Sequence, residues 1–326
     1  MKTEVLRMLK EAEDYVSGQQ ICEKFQVSRT AVWKVIKQLE DEGYEIEAVR
    51  RRGYRLKKEN DILSAEEIAS SLNTVWAGRP VVYYDETDST NNQAKRLAET
   101  GASHGTLVAA ESQTGGKGRR GRPWSAPRGV GIWMSLLLRP DIHPADASMI
   151  TLISALAVAD GIREVSGLDS VIKWPNDVVV SGKKVCGILT EMSSEIDHVN
   201  YVVPGIGINV NTESFPEDIR QVATSIYLET GRKENRSRLI GAILRHYEQY
   251  YDIFMQKKDM TDLLDVYNRR LANAGTGVRV LDPAGEYTGT ALGINRRGEL
   301  LVETESGEVK EVMSGEVSVR GIYGYV

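Results

Sequence analysis

The sequence predicts a multidomain α/β protein, with a small helical module in front and a small β domain behind. Three observations carry this. The first stretch, to about residue 62, reads as helix, helix–turn–helix and hairpin. The middle mixes apolar strands with amphipathic helices. From about Gly275, short strands and turns replace the helices.

The elements can be justified in order. Val5, Leu6, Met8, Leu9 and Ala12 give residues 2–13 one apolar face at helical spacing. Ser17 and Gln20 form a capping box for a second helix. After the turn QVS, the run RTAVWKVIKQLEDEGY is helical by period, with Ser28 as N-cap and Gly43 as stop. YEIEAVRRRGYRL alternates like a strand, breaks at Gly53 and resumes, which completes a winged helix-turn-helix. The charges agree. Arg29, Lys34 and Lys37 lie on the second helix of the pair, and Arg50, Arg51, Arg52 and Arg55 crowd the wing tip. Cations meet phosphates, and the start of a recognition helix meets base edges. Ser28, Arg29, Thr30, Lys34, Lys37, Arg50, Arg51 and Arg52 are therefore the DNA-binding candidates. The bland alternative is a solvated charged helix and a basic turn.

KKENDIL reads as a polar connection, and SAEEIASSL restarts a helix with a second capping box, Ser64 and Glu67. RPVVYYDE is a strand, STNNQAKRLAE a helix and GTLVAAES a strand that feeds a basic loop; GIWMSLLL is a further strand. PADASMITLISALAVADGIREVSG reads as a long buried helix with Pro144 near its start. SVIKWPNDVVVSGKKVCGILTEM reads as strands broken at WPND and at an SGKK turn. VNYVVPGIGINVN reads as a strand ending in a glycine-rich turn. RSRLIGAILRHYEQYYDIFMQ is a helix, and the region from Gly275 predicts a small β-barrel.

The whole chain sets bounds. Its 326 residues carry a net charge of −5, with 41% hydrophobic and 27% charged residues. That suits a soluble globular protein of two or three domains, and it confines any nucleic-acid site to a local basic patch. Cys22 and Cys186 lie far apart, which suits a reducing cytoplasm and makes a disulfide framework or zinc finger unexpected. MKTEVLRMLKEAEDY lacks the apolar core of a secretory leader, and the run around MITLISALAVADGI reads as too short and too interrupted to span a bilayer. We expect a cytoplasmic protein without a membrane partner.

The loop QTGGKGRRGRPW, Gln113–Trp124, concentrates the chemistry. It matches G-x-G-x-x-G literally, but Pro123, Pro127 and Gly129 follow, then a strand, so the helix that would receive a pyrophosphate is missing. A nicotinamide site is excluded on that ground, and a Walker A loop fails for want of its Gly-Lys-Ser/Thr. What remains is an anion cradle. Glycines let backbone N–H groups approach closely, arginine forks match paired oxygens, and Trp124 offers a flat face for a base or ring. Lys117, Arg119, Arg120 and Arg122 together suit the charge of a nucleoside triphosphate, and their mutual repulsion predicts a loop that orders on its anion. A flexible basic surface loop is the plain alternative.

Three more stretches point the same way. KWPND sets Lys173, Asn176 and Asp177 around a proline turn, where a carboxylate could help hold Mg²⁺ beside phosphates. GKKVCGIL puts Lys184 at the start of an apolar strand, a costly place for a lysine without an anion. PGIGIN offers backbone that can lie against a ligand. Ordinary turns and a solvent-facing hairpin lysine are the bland readings of these. His104, His143, His198 and His246 are scattered without metal-ligand spacing, and no nucleophilic serine elbow appears.

DSTN (Asp88–Asn91), QTGGKGRRGRPW, KWPND, GKKVCGIL and GIGINVN, in that order, resemble the biotin–protein ligases. With the winged helix in front and MSGEVSVRG behind, the chain resembles the bifunctional type that also represses the biotin biosynthetic operon, and the likeness covers nearly its whole length. The resemblance implies a winged helix-turn-helix at 1–62, a mixed α/β catalytic domain of the biotin/lipoate ligase type at 63–272 and an SH3-like barrel at 273–326. It implies ATP and its Mg²⁺, with biotin as substrate, a biotinyl-5′-adenylate intermediate, and transfer to a lysine of a biotin carboxyl carrier domain, as in acetyl-CoA carboxylase or pyruvate carboxylase. It also implies operator DNA and a homodimer. Ser89, Thr90, Asn91 and Gln113 would hold biotin. Gly116, Lys117, Gly118 and Arg119 would fold over biotin and the forming adenylate. Arg120 and Arg122 would meet phosphates and Trp124 would cover adenine, with Asn176 and Asn209 on the adenylate side. Lys184 would pair with the carboxylate and then the acyl phosphate, making Lys184 and Arg119 the catalytic pair. The family loop usually has arginine where Lys117 stands; lysine keeps the charge and loses the fork. Two other functions fit parts of the sequence: a metabolite-sensing DNA-binding regulator without chemistry, and a ligase for a related acid such as lipoate or octanoate.

Overall fold

The computed structural model describes residues 1–57, 61–282, 285–314, 318–321 and 325. Part of the polar connection (Lys58, Glu59 and Asn60) and the centre of MSGEVSVRG (Gly315, Glu316 and Val317) lie outside the described residues. The chain divides into two compact units: Met1–Asn73 with Asn235–Gly241, and Thr74–Glu234 with Ala242–Val326.

The first unit holds α1 (Lys2–Glu11), α2 (Gly18–Phe25), α3 (Arg29–Asp41), β1 (Ile46–Val49), β2 (Gly53–Leu56) and α4 (Ala65–Ser71). Its core joins the apolar faces of the first three helices, including Val5, Leu6, Ile21, Val32, Ile36 and Leu39. The Ser17–Gln20 capping box is reciprocal, and Ser28 caps α3 by accepting from the Ala31 N–H. Helix α1 is shorter than its periodicity suggests, because Ala12 is already extended. β1 and β2 pair antiparallel to form the wing. Gly53 has φ +117°, and a Cβ there would come within 2.1 Å of the Val16 carbonyl, so the break in the alternating pattern marks a close backbone approach. Ser64 caps α4, but Glu67 does not return the bond. Its buried carboxylate accepts from Tyr44 Oη at 2.6 Å and pairs with Lys10.

The second unit is built on a seven-stranded sheet. In chain order its strands are β3 (Val81–Tyr84), β4 (Leu107–Ala110), β5 (Gly131–Leu136), β6 (Val171–Lys173), β7 (Asp177–Val180), β8 (Lys183–Ser194) and β9 (Val199–Asn209). They lie in the order β3-β4-β5-β9-β8-β7-β6, and only the β3–β4 pair is parallel. Helix α5 (Thr90–Glu99) follows β3, and α6 (Met149–Ser166) follows β5. The helix α6 corrects one expectation. Pro144–Ser166 is, by length and composition, long enough to cross a bilayer, contrary to its sequence reading. Here it is a core helix, buried from Met149 to Ile162 at all but Thr151. Pro144 opens a short 3-10 turn ahead of it rather than the helix itself. PGIGIN is a strand end, the close of the continuous strand β9, and the glycine-rich turn expected there does not form. Beyond α7 (Ile226–Thr230), α8 (Arg236–Lys257) and α9 (Leu264–Arg270) comes a five-stranded antiparallel sheet. Its strands are β10 (Gly277–Leu281), β11 (Tyr287–Ile294), β12 (Leu300–Thr304), β13 (Val309–Val312) and β14 (Ser318–Gly321).

Candidate functional site

A cavity of about 1160 Å³ opens on the second unit. That exceeds the ~300–1,000 Å³ of an ordinary small-ligand cleft. Its wall includes Ser89, Thr90, Asn91 and Gln113 at one end, then Lys117, Gly118, Arg119, Arg120, Arg122 and Trp124 of the basic loop. Asn176, Asp177 and Lys184, with Asn209 at the end of β9, complete the set. Gly116 is not in the wall; a Cβ on it would meet the Trp124 carbonyl at 2.6 Å, so its place is in closing the loop.

The loop folds back on itself. Trp124 N–H donates to the Gly116 carbonyl and Gly118 N–H to the Arg122 carbonyl, with a 3-10 turn, Arg119–Gly121, at the tip. Arg120 sits there at φ +57°, a left-handed conformation that side chains other than glycine rarely adopt. Lys117, Arg120 and Arg122 are exposed, while Arg119 is half-buried and donates to Asn176 Oδ1 at 3.0 Å. Burial draws the Arg119 guanidinium below its ordinary value; Asp177 opposes this, and the neighbouring Arg120 and Arg122 add to it.

The cavity floor explains the glycines of β8 and β9. A Cβ on Gly207 would stand 2.7 Å from Trp124 Nε1, and one on Gly187 would stand 2.9 Å from the Trp124 ring. A Cβ on Gly205 would fall 2.0 Å from Asn91 Oδ1. The strands are thus pared to backbone where side chains lie across them. The Trp124 indole N–H is buried without an acceptor among the described residues. Such orphans are rare, and this one lies in the wall of a cavity.

At the far end, Gln113 Oε1 accepts from Thr90 N (2.7 Å) and Thr90 Oγ1 (3.1 Å), capping α5 from another segment. The N-cap residue Ser89 makes no side-chain cap of its own. Asn91 Nδ2 donates to the Leu189 carbonyl and to Glu191 Oε2 (2.7 Å), and Lys95 pairs with Glu191 at 2.7 Å. Burial raises the Glu191 carboxyl, but Lys95 and Asn91 outweigh it and hold the group below its ordinary value. Sequence reasoning did not single out Lys95 or Glu191, although both line the cavity. The spacing of Asn91 and Lys95 on one helix face was the available signal.

In the middle, Lys184 Nζ lies 2.6 Å from Asp177 Oδ1 and 5.2 Å from the centre of the Trp124 ring system it covers. Asn176 Nδ2 also donates to Asp177 Oδ1, at 3.1 Å, and Tyr325 Oη donates to Oδ2 at 2.6 Å. With both oxygens engaged, Asp177 does not by itself make a metal site. No group of three or more His, Cys, Asp or Glu converges among the described residues. Trp174 anchors this turn: it is buried, its N–H meets Asn273 Oδ1 and its Nε1–H meets the Gly298 carbonyl.

The DNA-binding candidates lie on the first unit. Arg29 reaches Gln19 (3.4 Å), and Lys37 has Glu40 and Asp41 as exposed partners. Ser28 uses its oxygen to cap α3. At the wing, Arg52 pairs with Asp14 at 2.9 Å over the Tyr15 ring, and Arg55 pairs with Glu47. Arg50 and Arg51 are exposed, with Arg51 at φ +69° on the tip. Sequence reasoning missed Trp33, which is 57% exposed on α3. Its place between Thr30 and Lys37, away from Val32, Ile36 and Leu39, is visible in the helical period.

Fold and cavity define an α/β protein with a ligand site walled by cations, on a chain that also carries a winged helix. The Biotin/lipoate A/B protein ligase family model matches residues 83–209, an HTH domain model residues 2–55 and the Biotin protein ligase C terminal domain model residues 275–320. Over 322 residues the chain is 41% identical to the bifunctional ligase/repressor BirA of Bacillus subtilis (strain 168), covering 98% of each. It is 30% identical over 309 residues to that of Escherichia coli (strain K12), covering 94% of each. Among solved structures, the biotin protein ligase from Aquifex aeolicus in complex with biotin and ATP is 33% identical with a TM-score of 0.65, over 74% of this chain and 98% of that one. The chain belongs to the biotin–protein ligase family, among the bifunctional ligase/repressors.

Proposed function

We propose that this protein joins biotin to ATP, giving biotinyl-5′-adenylate and pyrophosphate, and passes the biotinyl group to one lysine of a biotin carboxyl carrier domain. Acetyl-CoA carboxylase and pyruvate carboxylase supply such domains. The observation that carries the reading is the meeting of Arg119 and Lys184 in one glycine-floored cavity, with Asp177 already paired to Lys184.

The chemistry follows from charge. Biotin's carboxylate must approach a phosphate, and both are anions, so cations aimed at the meeting point favour the crowded transition state. Lys184 exchanges the Asp177 carboxylate for that of biotin, so its charge stays compensated as it changes partner. The carboxylate oxygen attacks the α-phosphorus, and pyrophosphate departs toward Arg120 and Arg122. Arg119, Lys117, Gly116 and Gly118 close over the product and keep water from the acyl phosphate. Ser89, Thr90, Asn91 and Gln113 hold biotin's polar ring and body, and the bonds from Thr90 to Gln113 and from Asn91 to Leu189 and Glu191 fix that end of the cavity. Trp124, Asn176 and Asn209 serve the adenylate side, and Mg²⁺ enters with ATP's phosphates, Asp177 being too heavily engaged to carry it alone. In the second step the carrier amine attacks the acyl carbon, an amide forms, and the bond to AMP breaks.

The winged helix binds the operator of biotin biosynthesis genes when the adenylate is held. Ser28, Arg29 and Thr30, at the start of α3, face the groove, and Lys34, Lys37 and the wing arginines face phosphates. A cytoplasmic homodimer, without a membrane partner, presents two such modules to a two-fold site. We assign functional modules at 1–62, 63–272 and 273–326. The direct test is incubation with ATP, Mg²⁺, biotin and a carrier domain, followed by the carrier's mass. A carrier that gains no biotinyl group, or gains lipoyl or octanoyl instead when those acids are offered, overturns the reading.

A further inference from the structure

Tyr325 follows the last strand of the small β sheet, yet its side chain lines the ligase cavity with Arg119 and Lys184. Its hydroxyl donates to Asp177 Oδ2 at 2.6 Å, and Lys173 Nζ lies 3.4 Å from the centre of its ring. Lys173 is almost wholly buried, at 7% exposure. Asp177 is the link to the reaction, because its other oxygen holds Lys184. We propose that Tyr325 is a positioning residue of the ligase site, which pins the Asp177 carboxylate and roofs Lys173 so that Lys184 stands where the acyl phosphate forms. This rests on the role given to Lys184 above.

The physical argument concerns how firmly Asp177 keeps its lysine. A carboxylate with one oxygen unclaimed can rotate and take an ammonium with both oxygens. A donor fixed at Oδ2 stops that rotation and draws part of the charge away from Oδ1. Lys184 is then held well enough to be placed and loosely enough to change partners. The ring does a second job, covering the Lys173 ammonium in a buried site where water is scarce. Burial first, and then Asp177, raise the Tyr325 hydroxyl far above its ordinary value, so it stays a donor throughout the working pH range.

Tyr325→Phe and Tyr325→Ala separate the two roles in the full-length protein. Two measurements are needed: biotin-dependent exchange of pyrophosphate into ATP, and labelling of Lys173 and Lys184 by acetic anhydride, read by peptide mass spectrometry. Tyr325→Phe should lower the exchange kcat about tenfold, less than the ~10²–10³ of a lost direct contact, with KM for biotin and ATP unchanged. It should also reduce Lys184 labelling, because Asp177 then grips the lysine, and leave Lys173 labelling unchanged. Tyr325→Ala should in addition expose Lys173 and raise its labelling severalfold. Unchanged Lys184 labelling in Tyr325→Phe, or faster exchange in Tyr325→Ala, overturns the proposal; the latter would make the tyrosine a plug. Wild-type protein that shows no biotin-dependent exchange but gives the expected labelling pattern overturns the ligase reading and leaves the placement by Tyr325 standing.

Discussion

Lys184 depends on its neighbours for its place. It is a lysine at the head of an apolar strand, and it is stable there because Asp177 meets it at 2.6 Å. Lys184→Ala should abolish biotin-dependent pyrophosphate exchange, a loss of at least ~10²–10³, while the far-UV circular dichroism stays that of the wild type. Near-normal turnover would remove Lys184 from the mechanism. Arg119→Gly takes away the guanidinium that joins the loop tip to Asn176. The expected result is continued adenylate formation with loss of retention, seen as free biotinyl-AMP by chromatography; an adenylate that stays bound would count against the lid. The cationic residues were legible in the sequence because their cost is local: a lysine in an apolar strand or four cations in one loop needs a reason wherever the chain goes. Tyr325 and the Lys95–Glu191 pair were not, since Tyr325 meets Asp177 across 148 positions and Lys95 meets Glu191 across 96.

At the scale of the element, glycine shows where sequence reasoning divides. The run PGIGIN is open to two readings, a strand end that lies against a ligand and a glycine turn, and β9 passes straight through it. The deciding facts are tertiary: Trp124 lies against Gly207, and Asn91 against Gly205. Gly207→Ala should therefore lift Trp124 off the floor. We expect a stability loss of about 1–3 kcal/mol, as for other overpacked sites, and weaker binding of ATP and biotin by calorimetry. Wild-type binding would mean that the indole does not shape the site. The winged helix, by contrast, was legible almost throughout, because its caps and periods are local and its hairpin closes over few residues. Two features were not: the end of α1, where Ala12 is already extended, and the exposure of Trp33. On the solvent face of α3 Trp33 offers an apolar surface for thymine methyls. Trp33→Ala should weaken operator binding by about 1–3 kcal/mol without changing its salt dependence, whereas Lys34→Ala should reduce the salt slope by about one. Fluorescence anisotropy at several salt concentrations separates the two, and an unaltered operator affinity in Trp33→Ala would exclude it from readout.

At the scale of the whole molecule, the question is why one chain carries both units. Linkage supplies a reason. A ligand that favours a dimer competent for DNA raises DNA affinity, and DNA must then raise ligand affinity by the same factor. If that ligand is the adenylate of the proposed reaction, carrier domains that consume it would relieve repression without any separate sensor. Two outcomes follow. Gel shifts with operator DNA should show higher affinity with biotin and ATP than without, and apo carrier domain added to the mixture should reverse the gain. Deleting residues 1–60 should abolish the shift and spare much of the ligase activity. If operator affinity is the same with and without ligand, the two activities share a chain but not a free energy, and repression by the adenylate is wrong.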